Sequence, residues 1–185
     1  MFLLKMKEIR KKLLDSKEID NSLKRLAHEL AERIESINDI VIIGIRTRGE
    51  FIAVRLAELL KKISGIQIPI GFLDVTFYRD DFRQRLIQPQ IKGSSISFSI
   101  DGKAVILADD VLFTGRTIRA AMNEIMDYGR PSSLALAVLI DRGHREMPIK
   151  ADFVGKNIPT SNIEHVVVRL SEVDNEDGVY LLTHD

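Results

Sequence analysis

The sequence predicts an α/β fold in which a mainly parallel central sheet is flanked by helices. Three apolar runs without alternation, at 40–45, 105–108 and 134–140, are typical of strands buried on both faces. Segments with apolar residues at helical spacing lie between these runs. Strands that alternate with helices in this way indicate parallel strands joined by helical crossovers.

The amino-terminal part contains two predicted helices on either side of a strand. The first helix has candidate caps at 20–22, followed by apolar residues at helical spacing. The strand at 40–45 leads into the loop RTRG, 46–49. The second helix covers 50–63 and ends before Gly65. Its side chains expected to face inward are Leu56, Leu59, Leu60 and Ile63.

The middle of the chain is predicted to hold a long strand, a polar loop and a hairpin. The strand covers 66–78, and the polar stretch 79–95 contains proline and glycine, which predicts a loop. Asp-Gly at 101–102 is a hairpin turn signal. It predicts that 96–100 and 103–107 pair with each other.

The stretch VILADDVLFTGRT, 105–117, joins a buried strand to a helix through two acids and a Thr-Gly bend. The helix is predicted to begin at Arg116 and to end before Gly129, with Pro131 following. The segment 109–115 is therefore predicted to be a loop at the carboxyl edge of the sheet, where open α/β sheets bind ligands. The helix residues expected to face inward are Ile118, Ala121, Met122, Ile125 and Met126.

This loop is suited to a ribose that carries a 5′-phosphate. The amino end of a helix offers unpaired N–H groups and a positive dipole, and Gly115 allows close approach of the backbone. The hydroxyls of Thr114 and Thr117 add donors. Asp109 and Asp110 could accept hydrogen bonds from two vicinal hydroxyls. Taken singly, each residue also fits an ordinary strand-to-helix bend.

Composition excludes several classes of protein. The chain has 185 residues, 45% of them hydrophobic, which fits one globular domain. The sequence contains no run of 18 or more apolar residues, so no membrane span is predicted. Cysteine is absent, which excludes disulfides and thiolate metal sites and fits a cytoplasmic location. With 27 basic and 27 acidic residues the net charge is zero, so nucleic-acid binding would need a local basic patch.

The stretch 105–117 resembles the motif that binds phosphoribosyl pyrophosphate (PRPP) in type I phosphoribosyltransferases. That motif is an apolar triplet, two acids, two apolar residues, one variable residue and then Thr-Gly-x-Thr. A longer match, from about residue 14 to 173, resembles the PyrR family of pyrimidine-operon attenuators that also have uracil phosphoribosyltransferase activity. Its blocks are LKRLAHELAER (23–33), GIRTRG (44–49), DVTFYRDD (74–81) and GRPSSLALAVLIDRGHREMPIKADFVGKNIPTS (129–161).

The resemblance implies a type I phosphoribosyltransferase fold with a small hood over the base site. It implies one domain over 1–185, whose hood is formed mainly by about 141–185, with the amino-terminal segment as a further candidate contributor. Within that segment, no role follows for the basic run KMKEIRKK.

The resemblance also implies how PRPP is held. Mg²⁺ would bridge PRPP oxygens and ribose hydroxyls without direct protein ligands. Asp109, Asp110, Arg48 and Arg79 would be catalytic, with Arg79 completing a charge clamp around the pyrophosphate. A solvated surface charge is the alternative for each arginine. The implied PRPP-binding residues are Thr47, Arg48, Gly49, Asp109, Asp110, Val111, Leu112, Phe113, Thr114, Gly115, Arg116 and Thr117.

Phe113 favours uracil as the base. By the resemblance, purine-specific members carry an acid at this place, and a phenyl ring cannot accept a proton but fits against a pyrimidine. Asp141, Arg142 and Val166 are the candidates for reading the edge of uracil. A surface loop and an edge strand are the alternative explanation of these three.

The first helix matches the RNA-contacting helix of the PyrR family. Its charged side chains lie off the apolar stripe, and pairing with Glu29 and Glu32 on a solvated face is the simpler alternative. The implied partners are uracil, PRPP, UMP and a pyr-leader mRNA hairpin, with no membrane, in a homo-oligomer. A salvage phosphoribosyltransferase without RNA binding is the alternative function. The implied RNA-binding residues are Lys24, Arg25, His28, Arg33, Lys150 and Lys156.

Overall fold

The computed structural model describes residues 8–34, 36–75 and 93–183, and it confirms the predicted α/β fold. Five parallel strands form the central sheet in the order β3-β2-β4-β5-β6. A second, antiparallel sheet has the order β1-β8-β7. The elements are β1 Glu8–Leu14, α1 Ser16–Arg33, β2 Ile40–Ile45, α2 Arg48–Ser64, β3 Ile70–Leu73, β4 Ala104–Leu112, α3 Arg116–Tyr128, β5 Ser133–Asp141, β6 Phe153–Asn157, β7 Glu164–Arg169, α4 Ser171–Asp174 and β8 Gly178–Thr183.

The central sheet is buried on both faces, which explains its unbroken apolar runs. Ile40 and Ile42 of β2 pack into the cluster that contains α1 and α2. Val41 and Ile43 of the same strand pack into the cluster that contains α3. Successive side chains of a strand point to opposite faces, so a strand covered on both sides needs apolar residues at every position.

The small antiparallel sheet, which we call the hood sheet, joins the two ends of the described chain. β8 lies in its middle and pairs with both β1 and β7. The residues of the basic amino-terminal run that the structure describes, from Glu8 onward, thus belong to strand β1. The short helix α4 connects β7 to β8.

Three predicted boundaries are wrong. The first helix begins at Ser16, because Asp15 and Glu18 form a capping box in which each side chain accepts the other's backbone N–H, at 2.8 and 2.9 Å. The predicted caps at 20–22 lie inside that helix. Of the predicted strand 66–78, only Ile70–Leu73 forms a strand, which is β3. Residues 76–78 lie outside the described residues.

The predicted hairpin of 96–100 with 103–107 is also wrong. Asp101 and Gly102 do form a turn, and the Lys103 N–H donates to the Ile100 carbonyl at 3.1 Å. Both edges of β4, however, are occupied by the parallel strands β2 and β5. The segment before the turn therefore stays irregular, with one antiparallel bridge between Ser95 and Phe72.

The predicted inward faces of two helices are partly wrong. Ile63 at the end of α2 is exposed, as are Met122 and Met126 of α3, whereas Ile118, Ala121 and Ile125 are buried. The buried face of α3 is thus narrower than the apolar face that the sequence predicted. No helix of the described segments is long and apolar enough to cross a membrane.

Candidate functional site

The carboxyl ends of β2, β4 and β5 carry the polar segments singled out in the sequence. These three strands are neighbours in the parallel sheet, so their carboxyl ends meet at one edge. RTRG follows β2, the acids and the Thr-Gly bend end β4, and Asp141 ends β5. The fold therefore brings segments almost one hundred residues apart in sequence to one site.

The two acids belong to a strand, and the prediction that they lie in the loop is wrong. β4 continues to Leu112 because β5 keeps pairing with it, from Asp109 with Val138 to Leu112 with Asp141. Asp109 and Asp110 are only 4% and 7% exposed, and an Asp109 carboxylate oxygen accepts the Asp110 N–H at 2.9 Å. Both carboxylates are thus held on a rigid strand.

The loop before α3 is reduced to three residues, 113–115. Gly115 has φ +91°, a conformation that favours glycine, and it precedes the first residue of the helix. Thr114 is buried, and its hydroxyl accepts the Arg116 N–H at 3.2 Å. The guanidinium of Arg116 is paired on the surface with Glu146, and Thr117 lies in the first helical turn. The result is a helix amino end whose backbone N–H groups border the acids.

The segment 145–147, which the sequence did not predict to take part in the site, contacts the bend at Phe113 and Thr114. The N–H groups of Glu146 and Met147 donate to the Thr114 carbonyl at 2.9 and 3.0 Å. Arg145 donates to the Phe113 carbonyl at 2.8 Å and pairs with Asp141. The basic and acidic residues of DRGHRE, 141–146, were a signal that could have revealed this contact.

The segment 47–49, which consists of Thr47 and the first two residues of α2, packs directly against the acids. A Cβ added to Gly49 would lie 2.6 Å from the Ala108 carbonyl oxygen and 3.1 Å from Asp109 Oδ1. Only a residue without a side chain therefore allows this approach. The segment begins with a cis peptide between Arg46 and Thr47. Helix α2 begins at Arg48, so the prediction that 46–49 is a loop and that the helix starts at residue 50 is wrong for Arg48 and Gly49. The predicted PRPP residues of the two segments are thus adjacent.

Arg48 forms a bidentate ion pair with Asp174, the last residue of α4. Its Nε and Nη2 donate to the two carboxylate oxygens of Asp174 at 3.0 and 2.7 Å. Burial raises the pKa of the Asp174 carboxyl, but the Arg48 guanidinium and the Leu170 N–H lower it more, so that the pKa lies below its ordinary value of 3.8. Asp174 is therefore ionised at neutral pH.

Two turns later on α2, Arg55 binds the same hood segment. It pairs with Glu172 and Asp177, each at 2.8 Å, and donates to the Ser171 hydroxyl. Burial raises the pKa of both carboxyls, but hydrogen bonds from Arg55 hold each pKa below its ordinary value. The acidic run SEVDNED, 171–177, was the only sequence signal for these contacts, and nothing in it identified its partners.

Phe113 lies under the guanidinium of Arg142, which is 4.0 Å from the ring centroid. Arg142 is buried and donates to the Thr160 hydroxyl at 3.1 Å and to the Glu164 carbonyl at 2.6 Å. An Asp141 carboxylate oxygen accepts the Gly143 N–H at 2.9 Å. Val166 lies within β7 and is partly exposed. The side chains of Asp141 and Arg142 are thus engaged by protein groups around Phe113.

The predicted RNA-binding residues separate into three groups. Lys24 and His28 are exposed on α1. Arg25 donates to the carbonyls of Val154 and Gly155 and pairs with Glu29, so its guanidinium joins α1 to β6. Arg33 makes the same kind of link through the Asp152 carbonyl at 3.3 Å.

Of the two later lysines, one lies beside α1 and one does not. Lys156 of β6 is 4.0 Å from Glu18 of α1. Lys150 is exposed and lines a pocket with Ile118 and Met122 of α3, which covers the opposite face of the sheet. The remaining predicted residue, Arg79, lies outside the described residues.

The donor set near the acids contains few metal ligands. Across 8–34, 36–75 and 93–183, no group of three or more histidine, cysteine, aspartate or glutamate side chains could hold a metal ion. Asp109 and Asp110 supply carboxylate oxygens, which are the ligands that magnesium prefers. This donor set fits an ion that is coordinated mainly by substrate oxygens and water.

Comparison with known proteins gives one family and one fold. A family model described as a phosphoribosyl transferase domain matches residues 10–172. Bifunctional protein PyrR of Enterococcus faecalis is 51% identical over 172 residues, which cover 93% of this chain and 96% of that protein. Bifunctional protein PyrR of Elusimicrobium minutum is 52% identical with the same coverage.

Solved structures with the same fold are more distant in sequence. A hypoxanthine phosphoribosyltransferase of Staphylococcus aureus has a TM-score of 0.70 at 24% identity, over 96% of this chain and 93% of that one. A hypoxanthine-guanine phosphoribosyltransferase of Bacillus anthracis has a TM-score of 0.72 at 21% identity, over 96% of this chain and all of that one. These likenesses establish the fold alone.

Proposed function

Because this chain belongs to the phosphoribosyltransferase family, and within it to the bifunctional PyrR proteins, we propose that it combines catalysis with regulation. It transfers the phosphoribosyl group of PRPP to uracil, which yields UMP and pyrophosphate. It also binds the leader RNA of pyrimidine genes and responds to UMP. The PRPP site carries the first activity, and the face of α1 beside β6 carries the second.

The contact of Gly49 with Asp109 is the observation that carries the catalytic proposal. It joins the amino end of α2, the segment 47–49 that we assign to pyrophosphate, to two carboxylates suited to ribose hydroxyls. The amino end of α3 at Gly115 completes the site with N–H groups for the 5′-phosphate. A ribose with a phosphate at one end and a diphosphate at the other matches this order of groups.

In the proposed reaction, a ring nitrogen of uracil forms a bond to the anomeric carbon while the bond from that carbon to the pyrophosphate oxygen breaks, and the proton of that nitrogen is released to the departing pyrophosphate or to water. Asp109 and Asp110 orient the ribose through its vicinal hydroxyls, and their charge favours the cationic character that develops at the ring. Arg48 takes up charge on the leaving pyrophosphate, and we assign Arg79 to the same task. Mg²⁺, held by PRPP oxygens and water beside the acids, would neutralise further charge on the diphosphate.

Uracil is the proposed base because the ring of Phe113 forms an apolar wall where a purine site would carry an acid. The guanidinium of Arg142 fixes that ring from one side, so we assign to Arg142 a supporting role in the base pocket. Asp141 and the backbone near Val166 remain our candidates for the polar edge of uracil. Phe113 follows β4, Asp141 and Arg142 lie at the carboxyl end of β5, and Val166 lies in β7 of the hood sheet.

RNA binding is proposed for the face formed by α1 and the neighbouring end of β6. Lys24 and His28 are exposed on α1, and Lys156 of β6 lies 4.0 Å from Glu18 of the same helix. Phosphate contacts from such a patch do not require a net positive chain. Arg25 and Arg33 support the face by joining α1 to β6, and Lys150 would reach RNA only if the RNA extends past the edge of the sheet.

The remaining partners follow from the family. We propose a homo-oligomer that works in the cytoplasm, where PRPP and nascent messages are available. A salvage enzyme without RNA binding remains the second candidate, because the two arginines of α1, Arg25 and Arg33, already have protein partners.

Two assays test the proposal. The first measures pyrophosphate release with uracil, hypoxanthine and guanine, and only uracil should be used; efficient turnover of a purine would contradict the base assignment. The second titrates leader RNA against a Lys24→Gln/His28→Gln variant over a salt series. The affinity of this variant for RNA should fall, while its turnover of uracil should stay the same. Lys62→Gln, an equal loss of charge at the far end of α2, is the control and should bind RNA normally.

A further inference from the structure

The ion pair between Arg48 and Asp174 joins the segment assigned to pyrophosphate, at the amino end of α2, to α4, which connects the two strands β7 and β8 of the hood sheet. Asp174 uses both carboxylate oxygens on the Nε and Nη2 edge of the guanidinium. A guanidinium has five N–H donors, so the pair leaves three of them, one on Nη2 and two on Nη1, that Asp174 does not bind. The side chains of Arg48 and Asp174 are 16% and 20% exposed, so the ion pair is not fully enclosed by protein.

Asp174 is itself held firmly. Its carboxylate accepts the Leu170 N–H at 3.0 Å, and its own N–H donates to the Leu170 carbonyl at 2.7 Å. Leu170 is fully buried in the core. An ionised carboxylate fixed at its backbone and at its oxygens is well suited to hold a flexible arginine in one orientation.

From this geometry we infer that Asp174 is a positioning residue that orients the Arg48 guanidinium toward the diphosphate of PRPP. The inference rests on the proposed function, since it takes Arg48 as a diphosphate ligand. It gives the hood a role in PRPP binding, although the hood also borders the base site. The separate pairs of Arg55 with Glu172 and Asp177 anchor the hood on α2 without touching Arg48.

Helix α4 would both orient Arg48 and anchor the hood sheet, and two carboxylate-to-amide variants separate these roles. Asp174→Asn removes the charge that orients Arg48, and Glu172→Gln removes a charge that only anchors the hood. We expect Asp174→Asn to raise the KM for PRPP about tenfold, with the KM for uracil nearly unchanged, because a misdirected guanidinium loses charge-assisted contacts. Glu172→Gln should leave the KM for PRPP unchanged. Asp174→Glu should restore part of the loss.

A double-mutant cycle with Arg48→Lys completes the test. If Asp174 acts through Arg48, Asp174→Asn should have almost no further effect in the Arg48→Lys background. Binding of PRPP with Mg²⁺ is measured by calorimetry beside the kinetics, and thermal unfolding checks each fold. Equal effects of Asp174→Asn and Glu172→Gln, additive effects in the cycle, or a lower KM for PRPP in Asp174→Asn would each overturn the inference. Absence of uracil turnover in the wild-type protein, with PRPP binding still dependent on Asp174, would instead count against the proposed function alone.

Discussion

Replacing Gly49 by alanine tests the contact that brings the two halves of the proposed PRPP site together. The new methyl group would lie 2.6 Å from the Ala108 carbonyl oxygen, whereas ordinary contacts begin at 3.4 Å. The segment 47–49 or the strand would have to move by about 0.8 Å, and misplacement by about 1 Å costs on the order of 100-fold in rate. We therefore expect kcat/KM for PRPP to fall by about two orders of magnitude.

The assay compares Gly49→Ala with Gly155→Ala in steady-state turnover of uracil and in thermal unfolding. A Cβ at Gly155 would also meet a carbonyl oxygen, that of Leu139, but it lies in β6, away from the acids. Both variants should be less stable, by about 1–3 kcal/mol. Only Gly49→Ala should lose its turnover. If Gly49→Ala kept kcat/KM within twofold of the wild type, the segment 47–49 would not adjoin the reacting groups.

Three further predictions concern the acids, the base pocket and the hood. Asp110→Asn should reduce PRPP use by about one to two orders of magnitude, because charge-assisted hydrogen bonds to the ribose are lost; an Asp109→Asn/Asp110→Asn variant with wild-type kinetics would make the acids structural. Phe113→Leu should raise the KM for uracil about tenfold, at a cost of about 1–2 kcal/mol, and should leave the KM for PRPP unchanged, because only the ring against Arg142 is removed. The ion pairs with Arg55 lower the pKa of Glu172 below 4.5 and that of Asp177 below 3.8. The stability that these ion pairs contribute is therefore fully present above the ordinary values and is lost as pH falls through the lowered pKa values. Denaturant unfolding between pH 7 and pH 3 should therefore show a smaller loss in Arg55→Met than in the wild type, and equal losses would assign the acid sensitivity elsewhere.

Local signals in the sequence predicted the elements that depend on local physics. The apolar runs identified β2 and the central part of β4 and β5, because strands covered on both faces have no polar positions. Gly65 and Gly129 marked the ends of α2 and α3. The Thr-Gly bend before α3 was recognisable because a residue with positive φ at that point favours glycine.

Errors and omissions arose where a distant segment decides the outcome. The turn at Asp101 and Gly102 was predicted correctly, but the hairpin was not, because the edges of β4 are filled by strands far away in sequence. The same holds for charges. Arg48 pairs with Asp174, 126 residues away, and Arg25 donates to the Val154 carbonyl, 129 residues away, in addition to its pair with Glu29. Whether an arginine is a ligand, an anchor or a solvated charge depends on such partners.

The proposed sites for UMP and RNA share one pair of strands. β6 pairs with β5 next to the base pocket, with Lys156 beside Ile140 and Asn157 beside Asp141. The other side of β6 is held by Arg25 of α1. A ligand that shifts the end of β5 would therefore act on the strand against which the RNA-binding helix packs.

This arrangement predicts that UMP and RNA strengthen each other's binding by the same factor. Coupling between two sites is typically about 1–3 kcal/mol, or about 5- to 150-fold, and linkage requires it to be reciprocal. RNA affinity is measured with and without UMP, and UMP affinity with and without RNA. Arg25→Met, which removes the link from α1 to β6, should reduce the factor while UMP affinity in the absence of RNA stays unchanged. An unchanged factor in Arg25→Met would mean that the coupling does not pass through this contact. A factor of one in the wild type would mean that UMP binding and RNA binding are independent.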